Sequence, residues 1–171
     1  DMQQVEDPTP LPASMAHLLR LHNLIHSNNS AGTAFSSPAQ QAFHLEIADR
    51  FLAKGWLRFY QLQVCGEPIA ALYCFSYNNV VSFYQSGYDP AWGKYSPGTQ
   101  CMAHAIQRAI HEGAREFDFL RGNEAYKYRW NAQAHNDVIL DLPGSRLGAG
   151  ILQARKLWQR LQPNGIKRTV C

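Results

Sequence analysis

WLRFYQLQVCGEPIAALYCFSYNNVVSFYQSGY, Trp56 to Tyr88, is three apolar runs separated by two turn signals. Trp56 to Val64 is aromatic and β-branched enough for a strand. Gly66-Glu67-Pro68 is a turn, Ile69 to Tyr77 a second strand, Asn78-Asn79 a second turn, and Val80 to Tyr88 a third strand. Three strands joined by such short turns predict an antiparallel meander.

Upstream the period changes to that of a helix. Residues 1–13, with Pro8, Pro10 and Pro12 alternating, read as a linker. Ser14 is placed to cap a helix through about His26, whose apolar face is Met15, Leu18, Leu19, Leu21, Leu24 and Ile25. After the polar loop at 27–32, Ser37-Pro38 reads as an N-cap followed by proline at the first helical position. That helix carries Phe43, Ile47, Phe51 and Leu52, and ends between Lys54 and Gly55.

Downstream of the meander, Asp89 to Tyr95 is a loop. Ser96-Pro97 repeats the cap-plus-proline signal before a helix with Met102, Ala105, Ile106, Ala109 and Ile110 on one face, closed by Gly113. Arg115–Leu120 reads as a strand, Glu124–Trp130 as a helix, Asp137–Leu142 as a last strand, and Arg146–Leu161 as an amphipathic basic helix. Helices packed on a mainly antiparallel sheet make an α+β fold. The domain is expected over 14–145, with the helix and tail of 146–171 docked on it.

Length and composition fit this reading. The chain has 171 residues, 46% hydrophobic, 12% aromatic and 17% charged. A chain of this size buries roughly 70% of its unfolded surface, and the aromatic content excludes a disordered polymer. The longest apolar run, Ile69–Phe75, is far short of the ~20 residues of a membrane span. The proline-rich, acidic lead is no secretory signal. The net charge of +3 divides unevenly: residues 1–120 carry a net −3, residues 121–171 a net +6. None of Cys65, Cys74, Cys101 and Cys171 forms a C-x-x-C pair. A turn at Gly66-Glu67 sets Cys74 opposite Phe59, too far from Cys65 for a disulfide. Reduced thiols and a cytoplasmic location follow.

Two stretches carry candidate chemistry. The helix at Ser96 opens directly after the meander, with Lys94 before it and Gly98 and Thr99 in its first turn. Free N–H groups and the positive end of the dipole favour an anion there. The other is Asp118-Phe119-Leu120-Arg121-Gly122-Asn123-Glu124-Ala125-Tyr126-Lys127, a strand end followed by carboxylates, a phenol and cations. Tyr126 and Lys127 can donate protons or hydrogen bonds, and Asp118 and Glu124 can accept them; a solvated helix with surface ion pairs has the same composition. His22 and His26, four apart, suit a metal by spacing, but no third ligand accompanies them, so no metal is expected.

The run Phe117–Trp130 resembles the signature of the CelD-like acetyltransferases, a branch of the GNAT superfamily close to the FemAB-like aminoacyltransferases. Gly55-Trp56-Leu57-Arg58, Gly66-Glu67-Pro68-Ile69-Ala70-Ala71, Tyr84-Gln85-Ser86-Gly87-Tyr88-Asp89-Pro90 and Ser96-Pro97-Gly98 fall in that family's order and spacing. The resemblance implies a GNAT fold, in which Val80–Tyr88 and Arg115–Leu120 splay apart around an acyl donor. It implies an N-acyltransferase that moves an acyl group, acetyl foremost, from acyl-CoA to an amine by direct attack. Tyr84, Gln85, Ser86, Gly87, Lys94, Ser96, Gly98, Thr99, Arg121 and Asn123 are then the donor-binding candidates. Asp118 or Glu124 becomes the base, Tyr126 the acid, and Lys127 the cation at the carbonyl or leaving group.

The superfamily's usual Q/R-x-x-G-x-G/A loop is replaced by Ser96-Pro97-Gly98-Thr99. An aminoacyl-tRNA donor therefore stands as the alternative, to which the basic tail is suited. A catalytically degenerate GNAT module that only binds a partner is a second. The acceptor would be an amino sugar, a peptide or another small amine, and the family's link is to polysaccharide biosynthesis. The family's usual length, about twice this one, implies a further N-terminal GNAT-like half; a homodimer is also open.

Overall fold

In a computed structural model, residues 1–26, 35–136 and the backbone of 167–170 are described. The chain forms two compact units, residues 1–119 and 120–171.

The first unit opens with strand β1 (Met2–Gln4) and helices α1 (Leu11–His26) and α2 (Pro38–Ala53). The meander follows as β2 (Leu57–Val64), β3 (Glu67–Tyr77) and β4 (Val80–Tyr88). A 3-10 helix (Pro90–Tyr95), helix α3 (Pro97–His111) and strand β5 (Glu116–Arg121) as far as Phe119 complete it. The sheet order is β1-β2-β3-β4-β5, antiparallel except for the β4–β5 pair. In the second unit, α4 (Ala125–Tyr128) precedes an antiparallel pair, β6 (Gln133–Asn136) with β7 (Lys167–Val170).

Residues 1–13, read as a linker, hold β1, which pairs with β2 at Met2↔Leu62 through Gln4↔Tyr60, and the start of α1. Ser14 is not the cap: α1 begins three residues earlier, with Pro12 in its first turn where a missing N–H costs nothing. Ser14 is buried instead, and its hydroxyl bonds to Gln61 Oε1 at 3.3 Å. Ser37 does cap α2, in a reciprocal box with Gln40.

The meander matches the expected strands, with one shift. The first turn is centred on Cys65-Gly66, both at positive φ, not on Gly66-Glu67. A bulge between Leu62 and Gln63 moves the register again, so Cys74 faces Arg58 rather than Phe59. Cys65, Cys74 and Cys101 are free thiols.

Strand alternation divides the core. Leu57, Phe59, Ala71 and Tyr73 point toward α1, whose buried stripe is Leu11, Met15, Leu18 and Leu21. Each such large side chain contributes about 1.5–3 kcal/mol by burial. The opposite face carries Tyr60 and Cys74 and receives α3 through Cys101 and His104, the latter edge-on to Tyr60. On α3 the buried positions are Pro97, Cys101, Met102, Ala105 and Ala109; Ile110, expected on that face, is 70% exposed. On α2, Phe43 is likewise exposed, and His44 and Ala48 face inward. The loop expected at 89–95 is the 3-10 helix, capped by Asp89 Oδ1 on the Ala91 N–H at 2.9 Å. The strand at 137–142 and the helix at 146–161 lie outside the described residues. No helix among the described residues is long and apolar enough to cross a membrane.

Candidate functional site

The opening in the first unit arises from how β4 is built. β4 and β5 pair in parallel only at Val80↔Glu116, Val81↔Phe117 and Ser82↔Asp118. Immediately after, Cys74 faces Phe83 but Tyr73 faces Gln85, leaving Tyr84 as the extra residue of a bulge. A bulge bends its strand and increases its twist. From Phe83 to Tyr88, β4 stays paired with β3 and, among the described residues of this unit, has no strand partner on its other edge. A V-shaped gap with one wall of strand backbone results.

α1 closes against that wall. A Cβ built on Gly87 would lie 2.3 Å from the His22 backbone nitrogen and 2.5 Å from the Leu21 carbonyl carbon. Only a glycine lets the helix approach this closely. His22 Nδ1 donates to the Ser86 carbonyl at 2.9 Å. At the strand's end, Tyr88 lies against Gly98, so the first turn of α3 sits at the mouth of the gap.

That turn is unusual. Ser96 is left-handed at φ 52°, ψ 52°, and its side chain makes no capping bond. A non-glycine residue there costs about 1 kcal/mol or more. Pro97 has no N–H, and the Gln100 N–H is bonded to the Ser96 carbonyl. The turn therefore presents the N–H groups of Gly98 and Thr99, the geometry suited to an anion. Lys94 precedes it, with Nζ 4.7 Å from the centre of the Tyr95 ring.

Of the candidate residues, the first unit thus brings together Tyr84, Gln85, Ser86, Gly87, Ser96, Gly98 and Thr99. Asp118 is fully buried where β4 and β5 stop pairing.

The second unit gathers Arg121, Asn123, Glu124 and Lys127. Lys127 is buried, and its ammonium bonds to the Arg121 carbonyl at 2.8 Å and to Glu124 Oε2 at 2.9 Å. The Asn123 amide oxygen accepts from the Tyr128 hydroxyl. Burial works to raise the Glu124 pKa, but the hydrogen bond and charge of Lys127, with Glu124's own N–H, hold the carboxyl below its ordinary value. Glu124 is therefore ionised and weakly basic. Burial, helped by the Glu124 charge, pushes the Tyr126 phenol up to about 12, and its side chain remains partly exposed.

Two residues were not among the candidates. His22 and His44 are buried, and both have pKa values lowered, chiefly by burial. His44 Nε2 lies 3.3 Å from the Tyr84 hydroxyl. Phe35 stands between them, its ring centre 5.2 Å from His22 and 5.1 Å from His44. The signal was periodic: His22 falls four residues after Leu18 and His44 four before Ala48, both on buried stripes. Among the described residues no group of three or more His, Cys, Asp or Glu could hold a metal.

Comparison with known proteins agrees with this architecture. The family described as "Acetyltransferase (GNAT) domain" matches residues 4–128. Among solved structures, an acetyltransferase from Streptococcus agalactiae superposes with TM-score 0.64 at 9% identity, covering 99% of this chain and 96% of that one. The PaiA N-acetyltransferase of Thermoplasma acidophilum, in complex with coenzyme A, gives 0.59 at 9% identity, covering 99% and 98%. A GNAT family acetyltransferase of Brucella melitensis, in complex with acetyl-CoA, gives 0.56 at 14% identity, covering 78% and 83%. These likenesses show the fold; no curated protein sequence matches the chain. The family match spans most of the chain, which belongs to the GNAT acetyltransferase domain family.

Proposed function

We propose that this GNAT domain is an N-acyltransferase that takes an acyl group, acetyl foremost, from acyl-CoA and delivers it to an amine by direct attack. One observation carries the reading: the bulged, unpaired edge of β4 leads to an α3 N-terminus with no side-chain cap. The donor's amide-bearing arm would lie along Phe83–Gly87, and its pyrophosphate would meet the N–H groups of Gly98 and Thr99. The coenzyme A and acetyl-CoA held by two proteins of like fold support the choice of donor. The finer placement, beside CelD-like enzymes, rests on the Phe117–Trp130 run.

The reaction needs an acceptor for the amine's proton and a donor for the departing thiolate. Tyr126 is proposed as that donor on its chemistry: a phenol pushed up to about 12 keeps its proton throughout the neutral range. Asp118 and Glu124 remain the carboxylates of the motif, but Glu124 is weakened as a base by Lys127.

The test is a thermal shift with acetyl-CoA on the wild type and on Gly98→Asp. A ligand at a hundredfold excess over Kd stabilises by about 2.7 kcal/mol, roughly 5–10 °C for a chain of this size. A carboxylate in the first turn favours the helix dipole by about 0.3–1 kcal/mol, and an added Cβ meets Tyr88 only at ordinary contact distance, 3.4 Å. The variant should be as stable as the wild type without ligand, yet bind acetyl-CoA roughly tenfold more weakly through charge repulsion. No shift for the wild type with any acyl-CoA would refute the reading in favour of a tRNA donor or a binding module.

A further inference from the structure

We propose that His22 is the base of this reaction, its Nε2 taking the proton of the attacking amine. The inference rests on the acyltransferase reading above and adds a residue to it.

The tautomer follows from the hydrogen bonding. A carbonyl oxygen can only accept, so the proton in the His22–Ser86 contact is on Nδ1. In the neutral ring Nε2 then carries a bare lone pair, and it is buried with no hydrogen-bond partner among the described residues. A buried polar atom left unsatisfied costs about 1–3 kcal/mol, and such a cost is tolerated where the atom has work to do. Among the described residues, His44 Nδ1, beyond Phe35, is the other such side-chain atom. The Ser86 carbonyl orients the imidazole from behind, as a third group orients the base in nucleophilic sites. It also belongs to the strand that would hold the donor, so base and acyl group share one frame.

The charge state fits as well. Burial lowers the His22 pKa, the Ser86 carbonyl works to raise it, and His26, with its ring centre 4.3 Å away, lowers it again. The ring is neutral at pH 7, ready to accept. Among the described residues, the other titratable groups facing this region are His44 on α2, across Phe35, Tyr84 on β4, whose hydroxyl lies against His44, and Tyr73 on β3, edge-on to His44. In the step, the amine nitrogen bonds to the thioester carbon and its proton passes to Nε2. The C–S bond then breaks with its electron pair on sulfur, and the thiolate takes up a proton, giving amide and coenzyme A.

The test compares His22→Asn with His22→Gln. The asparagine amide N–H stands where Nδ1–H stood, so it keeps the Ser86 bond and removes the base; glutamine reaches toward the Nε2 position instead. Coenzyme A release is followed with acetyl-CoA and a panel of glucosamine, spermidine and an alanyl peptide. His22→Asn should shift thermally with acetyl-CoA as the wild type does, while kcat falls roughly 100-fold or more. Its rate should lose the acid limb that the wild type shows below the ordinary histidine pKa, and added imidazole should restore part of it. An asparagine variant with wild-type kcat and pH profile overturns the proposal and leaves the acyltransferase reading intact. Nitrogen-15 NMR of the wild-type histidines tests the premise without turnover: an Nε2–H tautomer or an imidazolium of His22 at pH 7 refutes the base. Absence of any acetyl-CoA shift in the wild type is the separate failure of the acyltransferase reading.

Discussion

Gly87→Ala is expected to destabilise the protein by about 3 kcal/mol or more, the upper range for one added methyl in a packed core. The reason is that the obstructing atoms are backbone. The new Cβ would sit 2.3 Å from His22 N, 2.5 Å from Leu21 C and 2.8 Å from His22 Cα. A side chain could rotate away, but these atoms are fixed by the hydrogen bonds of α1. Either α1 lifts from β4 or β4 bends from β3. Lifting α1 also stretches the 2.9 Å His22–Ser86 bond, so donor binding should weaken together with stability. Thermal unfolding should show a fall of about 6–12 °C, at roughly 2–4 °C per kcal/mol for this length. A variant that melts with the wild type would mean that α1 does not lie on β4 in this way.

Lys127→Met is expected to abolish most activity while leaving the first unit folded. Methionine keeps the apolar length of the side chain and removes the charge. The Arg121 carbonyl and Glu124 carboxylate then lose their shared partner, and the turn from Arg121 to Glu124 loses the ammonium that ties its ends. A loss of roughly 100-fold in kcat, the scale for removing one polar stabiliser of a transition state, is the expected result by coenzyme A release. The variant also has a titration signature. In the wild type the Glu124 pKa is held down, so its contribution to stability is present above the unfolded pKa and is lost as pH falls through the folded pKa. Without Lys127, burial remains and the main lowering partner is gone, so the Glu124 pKa should rise and that loss on the acid side should shrink. The group is more than half exposed, so the change is better read by carbon-13 NMR of the carboxyl than from stability. A Lys127→Met protein with full acyl transfer would remove Lys127 from the proposed mechanism.

The meander was legible because its signals are local. Asn78-Asn79, both at positive φ, fix one hairpin, and the apolar alternation on either side fixes its faces. Ser37-Pro38 likewise carries its capping box within four residues. What could not be read depends on partners distant in sequence. The bulge at Tyr84 breaks the period of two without any glycine or proline to mark it, and the one at Leu62/Gln63, where Pro68 faces Gln63, sits against a proline that reads equally well as part of the turn. β1 is three residues long, and only β2 makes it a strand. The exposed Phe43 and Ile110 show periodicity failing where apolar residues flank the buried stripe on both sides.

The same division holds for the candidate site. Ser96-Pro97-Gly98 marked the start of α3 in the sequence, and the family resemblance pointed to the strand at Tyr84–Gly87. The lysine of the motif was visible, but its burial against Glu124 was not, since a charged helix reads as a solvated one. His22 was seen only as half of a metal spacing. Its role depends on the Ser86 carbonyl 64 residues away, which no local pattern encodes.

The central claim is that acyl-CoA occupies the gap where β4 leaves β5, with its phosphates on α3. Backbone amide NMR during an acetyl-CoA titration tests it directly. The predicted result is saturable shifts concentrated on the amides of Phe83–Gly87 and of Gly98 and Thr99. Shifts confined to other parts of the chain, or none at saturating acetyl-CoA, would contradict it.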